Sequence, residues 1–179
     1  MPRFFAFLRA INVGGHIVKM DHLRRIFESL GFSNVETFIA SGNVVFETTS
    51  RNAKALEKKI ESRLREELGY EVATFIRTDA DLAKIAGYEP FPQSDVDEAA
   101  SLNVGFMADG LDGEAKKKLM NLRTDLDDFH VHERELYWLS RVRQGESKMS
   151  NAVLEKTLGR RSTLRGVNTV KRMAAKYFK

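Results

Sequence analysis

The order in which hydrophobic periodicities follow one another constrains this chain more than any single motif. The run Arg3-Phe4-Phe5-Ala6-Phe7-Leu8-Arg9 has no polar face and is too short for a buried helix, so it reads as a strand buried on both sides. Over residues 20–30, Leu23, Ile26, Phe27 and Leu30 fall at i, i+3, i+4 and i+7, with Asp21 near the start and Gly31 just past the end. That spacing predicts an amphipathic helix. Val35, Thr37 and Ile39 then alternate with polar or small residues, Ser41-Gly42-Asn43 interrupts, and residues 44–48 resume in β-branched and aromatic side chains. A β-hairpin is expected there. Leu56, Ile60, Leu64 and Leu68 step by four up to Gly69, and residues 72–78 predict a further strand. The resulting β-α-β-β-α-β order is that of a ferredoxin-like unit.

A second half follows. Thr78 is placed to cap a short helix over residues 80–86, and Gly87-Tyr88-Glu89-Pro90-Phe91-Pro92 then holds two of the three prolines. With the acidic stretch from Asp95 to Glu98, this marks the boundary: a first half over 1–87, a linker over 88–100 and a second half over 101–179. Beyond it, residues 102–107 predict a strand, 112–122 a helix, and 129–132 with 136–140 a second hairpin. Residues 151–158 predict a helix capped by Ser150 and stopped by Gly159. Where a closing strand would stand, the pattern predicts a basic helix over about 166–178. The expected fold is therefore α+β: two ferredoxin-like (βαββα-type) halves with antiparallel sheets and a C-terminal basic helix. The two are expected to interlock, because a strand apolar on both faces needs cover on its second face and the other half is the candidate within the chain.

Hydrophobic residues make up 42% and charged residues 30% of the 179 positions, enough for a packed core. The absence of cysteine excludes disulfides and thiolate metal sites. Residues 4–8 are too short for a signal or a membrane span, so no membrane association is expected and a cytoplasmic location is the default. Charge is uneven: residues 1–133 carry 17 Lys and Arg against 22 Asp and Glu, and residues 134–179 carry 12 against 3. Such a block attracts phosphate or nucleic acid through its field, or is a solvated face beside acidic neighbours.

Three clusters could carry chemistry. In Leu8-Arg9-Ala10-Ile11-Asn12-Val13-Gly14-Gly15, with Lys19-Met20 opening the first helix, a strand exit meets a Gly-Gly turn and two cations. Paired glycines let backbone N–H groups converge on an anion and a helix N-terminus adds partial positive charge, so phosphate or carboxylate is the natural guest. The bland alternative is a long loop whose glycines serve only backbone conformation. Neither Gly-x4-Gly-Lys nor Gly-x-Gly-x-x-Gly is present. The second cluster is Ala40-Ser41-Gly42-Asn43, residue types that a tight hairpin turn also selects. In a split βαβ arrangement this turn and the exit of the first strand share one end of the sheet, which makes the two loops neighbours. The third cluster is Ser162 to Val170, where Thr163 could cap the last helix and Arg165 and Asn168 stand three apart on one face.

Taken together, these segments resemble the signature of the domain of unknown function 1697 family (DUF1697). The likeness rests on Leu8 to Gly15, Lys19-Met20, Ser41-Gly42-Asn43-Val44-Val45-Phe46, Thr163-Leu164-Arg165 and Asn168-Thr169-Val170. It departs from the usual pattern at Ala10, where glycine is common, and at Gly166 and Val167, where Asn-Trp is common. The resemblance implies a bacterial-type cytoplasmic protein with ferredoxin-like subdomains and no established activity.

Asp128, His130 and His132 share one strand face, but no further strong ligand accompanies them, so no metal site is assigned. Neither a serine triad nor Gly-x-Ser-x-Gly is present. The leading expectation is a small anionic ligand at an edge made by Arg9, Asn12, Gly14, Gly15, Lys19, Ser41, Gly42 and Asn43, with Arg165 and Asn168 approaching it. One alternative is nucleic-acid binding through Arg141, Arg143, Lys148, Arg160, Arg161, Arg165, Lys171, Arg172 and Lys176. Another is an enzyme using Lys19, His16 or His22 as acid or base at the same edge. The sequence specifies no reaction, cofactor or oligomeric state.

Overall fold

The computed structural model describes residues 1–11, 17–39, 42–143 and 146–178. The chain divides into two units, Met1–Ile85 and Ala86–Lys179. The first contains β1 (Arg3–Leu8), α1 (Met20–Glu28), β2 (Ser33–Thr37), β3 (Asn43–Glu47), α2 (Ala53–Leu68), β4 (Thr74–Thr78) and α3 (Asp79–Gly87), the last running just past the division. Its antiparallel sheet has the order β2-β3-β1-β4, so the hairpin arm β3 is inserted between β1 and β2.

Alternation along β1 sorts its side chains between two faces. Phe4, Ala6 and Leu8 join Val44, Phe46 and Ile76 in a core with Leu23, Ile26 and Phe27 of α1 and Leu56, Ile60 and Leu64 of α2. Phe5, Phe7, Val45, Phe75 and Arg77 are buried on the other face, as the unbroken apolar run of β1 predicts. Helix α2 begins at Asn52, whose side chain accepts from the Ala55 N–H, and ends at Gly69 with φ 82°. The N–H of Thr78 donates to Asp81 and the N–H of Asp81 donates back to Thr78 Oγ1, a reciprocal cap that starts α3. The outward N–H groups of β4 meet carboxylates too: Thr74 donates to Glu61 and Ile76 to Glu57, both on α2.

The second unit holds α4 (Gln93–Glu98), β5 (Ser101–Phe106), α5 (Gly113–Met120), β6 (Asp127–His132), β7 (Glu135–Ser140), α6 (Asn151–Leu158), β8 (Thr163–Gly166) and α7 (Val167–Tyr177). Its sheet is antiparallel in the order β6-β7-β5-β8. From β5 onward it therefore repeats the first unit element for element. A closing strand is present where a helix was expected, because Thr163-Leu164-Arg165-Gly166 pairs with β5 and α7 starts only at Val167. Thr163 is thus a strand residue rather than a helix cap, and Gly166 precedes α7 without a side-chain cap. Gly105 favours this pairing, since Leu136 and Leu164 close over the position where a Cβ would stand. The Ser162 N–H donates to Glu155 of α6, matching the carboxylate arrangement along β4.

The core of this unit joins Met107, Leu119, Phe129, Leu136, Trp138 and Leu154, while α7 buries Val170 and Met173. The segment expected to be a linker contains α4, and Tyr88 stacks on His132. Among the described residues no helix is long and apolar enough to cross a membrane.

Candidate functional site

The described flanks of the two loops, Leu8 and Arg9 on one side and Gly42 and Asn43 on the other, stand at the same end of the sheet. Phe7 is opposite Asn43 in the β1–β3 register, and the Leu8 N–H donates to the Gly42 carbonyl at 2.8 Å. The Arg9 N–H donates to the Ala73 carbonyl at 2.9 Å, which ties the strand exit to the start of β4. Tyr70 anchors the chain two residues further on, its hydroxyl donating to the Ile11 carbonyl at 2.9 Å, and burial pushes that phenol's pKa up.

The backbone is strained on both sides of this edge. Ala10 has φ 53° and Ile39 φ 65°, a region that residues bearing a Cβ adopt at a cost of about 1–3 kcal/mol each. Gly42, at φ 100°, occupies a conformation natural to glycine. Asn43 is buried, and its Nδ2 donates to the Phe38 carbonyl at 3.1 Å while the Phe38 N–H donates to the Asn43 carbonyl. Its carboxamide thus closes the hairpin. Lys19 is exposed at the N-terminal boundary of α1 and makes no side-chain cap there. Large apolar side chains surround these segments in solvent: Ile17 is 86%, Met20 48% and Ile39 48% exposed.

Of the expected edge residues, Arg9, Lys19, Gly42 and Asn43 are described, whereas Asn12, Gly14, Gly15 and Ser41, with His16, lie outside the described residues. Arg165 and Asn168 belong to the second unit. They do not share a helix face: Arg165 is in β8, and Asn168 is exposed in the first turn of α7. The Arg165 guanidinium folds back on its own strand, Nη1 donating to Thr163 Oγ1 at 2.7 Å and to the Leu164 carbonyl at 2.8 Å. Desolvation lowers its pKa to about 10. Arg77 of the first unit has the corresponding position, is fully buried and donates from Nη1 to the Ile76 carbonyl at 3.0 Å. Sequence reading missed this pair, and the Arg one residue before each strand end is the signal that could have found it.

His130 and His132 belong to an aromatic cluster. The Tyr88 hydroxyl is 2.6 Å from His130 Nε2, and the Tyr88 ring stacks on His132 at 4.1 Å and 12°. Asp128 pairs with Arg123 at 2.7 Å. No group of three metal-ligating side chains occurs among the described residues. The basic C-terminal set is partly engaged elsewhere: Arg141 pairs with Asp95 and Glu98, and Arg160 donates to the Gly110 carbonyl. Lys171, Arg172 and Lys176 are exposed on α7.

Comparison with known proteins adds kinship without an activity. A family model described as a protein of unknown function, DUF1697, matches residues 1–137. No curated protein matches the chain. The solved structure of a conserved bacterial protein, SP0830 from Streptococcus pneumoniae, is similar with a TM-score of 0.77 at 22% identity, covering 97% of each chain. That likeness concerns the fold.

Proposed function

Because the chain belongs to DUF1697, a family of unknown function, no activity comes with its kinship, and we propose that it binds a small phosphate- or carboxylate-bearing molecule at the edge formed by residues 9–19 and 40–43. The observation that carries this reading is the 2.8 Å bond from the Leu8 N–H to the Gly42 carbonyl, which ties the exit of β1, where the first loop begins, to the β2–β3 turn. Arg9 and Lys19 supply positive charge there, and the N-terminus of α1, which the Lys19 side chain does not cap, adds partial positive charge. Strain at Ala10 and Ile39 supports the same reading, since conformations of this cost gather where a ligand is held. The exposed Ile17, Met20 and Ile39 suit a ligand with an apolar portion beside its anionic group.

The strand orders of both sheets support reading each unit as ferredoxin-like. In this reading Arg165 and Asn168 would contribute only if the second unit brings them to the edge.

Native mass spectrometry of freshly purified protein is expected to show a retained small molecule. Titration calorimetry with inorganic phosphate should show saturable binding that Arg9→Gln and Lys19→Gln each weaken about tenfold, the loss of one charge-assisted contact. A protein that carries nothing, ignores phosphate and instead binds oligonucleotides with a steep salt dependence would overturn the proposal in favour of the basic C-terminal region.

A further inference from the structure

Registers allow the two units to be compared position by position. Phe5 lies between Val45 and Arg77, and Val104 lies between Tyr137 and Arg165. One residue earlier on each central strand, Phe4 lies between Phe46 and Thr78, and its counterpart Asn103 lies between Trp138 and Gly166. In the first unit this end of the helix-covered face is filled with rings: Phe4 stacks on Phe46 at 5.7 Å, and Phe46 stacks on Phe32 at 4.4 Å. In the second unit Asn103 stands there, with Ser101 before it on the same face, and the space is a cavity of about 350 Å³ lined also by Trp138, Arg143, Met149 and Leu164. That volume lies at the lower end of the range of clefts that hold small molecules.

The walls are fixed by bonds of their own. Trp138 Nε1 donates to Asp127 Oδ1 at 2.8 Å, Ser147 Oγ donates to Asp127 Oδ2 at 2.6 Å, and the Met149 N–H donates to Ser147 Oγ at 3.0 Å. Asp127 is buried with both oxygens engaged, so it presents no open carboxylate to a cation. The groups facing the cavity are in the opposite condition. Among the described residues the Asn103 carboxamide, the Ser101 hydroxyl and the Arg143 guanidinium make no hydrogen bond or ion pair. Ser101 and Asn103 are half-buried and Arg143 is exposed, so their donors are open to a guest that takes the place of solvent.

We infer that this cavity is a second binding site, distinct from the edge of the first unit, for a small carboxylate with a flat apolar body. Arg143, Asn103 and Ser101 donate to the carboxylate, and the body lies against Trp138, Met149 and Leu164. One cation beside neutral donors and an apolar floor suits a single negative charge better than a phosphate.

Trp138 is the only tryptophan in the chain, so one indole N–H resonance reports on the site. Benzoate added to the isotope-labelled full-length protein should move that resonance saturably, with benzamide, its neutral isostere, at least about tenfold weaker. Arg143 is exposed, so Arg143→Gln should keep the native spectrum, weaken benzoate about tenfold and leave benzamide unchanged. Asn103→Phe, which rebuilds the ring of the first unit, should abolish the response. An indole resonance unmoved by benzoate, moved equally by benzamide, or moved equally in Arg143→Gln overturns the inference. Neither Arg143 nor Trp138 is in the first unit, so this result and the phosphate titration stand or fall separately.

Discussion

Glu57 lies on a helix of mostly charged and exposed residues, yet it is buried, and its Oε2 accepts the Ile76 N–H at 2.8 Å. Burial raises its pKa, opposed by that N–H, by Lys54 and by Arg77, and reinforced by Glu61. Glu57→Ala leaves the N–H of Ile76 without its acceptor, and urea denaturation should show a loss of about 1–3 kcal/mol, with a smaller loss for Glu57→Gln, which keeps an acceptor oxygen. His130 offers a prediction in pH. Its pKa is lowered first by burial and then by His132, against a raising effect from Asp128. The unfolded chain therefore binds a proton that the folded one refuses, and this contribution to stability, present above the unfolded pKa, declines as pH falls below it until the folded pKa is passed. Urea midpoints compared at about pH 7.5 and about pH 5 should fall less steeply in His130→Gln than in the parent chain. Residues whose role is local were legible: Ser150 accepts the Val153 N–H, Thr78 accepts the Asp81 N–H, and Gly159 takes φ 65°. Tyr88 was not, because its partners His130 and His132 lie more than forty residues away and leave no periodic trace in the sequence.

Elements long enough to show a periodicity were read correctly in type and nearly in extent, as α2 with its apolar residues stepping by four up to Gly69 illustrates. The strand β8 was misread for the converse reason. Four residues give two alternations at most, and Thr163 before a basic amphipathic segment imitates a helix cap. Tertiary packing decides its conformation: a Cβ on Gly105 would lie 2.9 Å from Leu136 Cγ and 3.1 Å from Leu164 Cδ2. Gly105→Ala should therefore destabilise the protein by about 1–3 kcal/mol in a thermal or urea melt, an overpacking cost. The matching position of the first unit is Ala6, so a methyl group is tolerated where its neighbours leave room.

Across the whole molecule, the repetition of one fold was legible because it is written in the order of periodicities, whereas the two proposed sites differ in what the sequence says of them. The edge of the first unit could be inferred from topology, since a split βαβ order places the exit of β1 beside the β2–β3 turn. The cavity of the second unit could not, because an asparagine in a short strand reads as a solvent-facing residue until its counterpart Phe4 is known. The carboxylates along β4 have a consequence at this scale as well. A strand with only one neighbour invites another polypeptide to continue the sheet, which is how folded chains stitch themselves into aggregates. Along β4 the N–H groups of Thr74, Ile76 and Thr78 are already held by Glu61, Glu57 and Asp81, and a visiting strand would have to displace three acidic side chains to find a donor. That margin of the first sheet is closed to polymerisation by the helices that follow and precede it in the same unit.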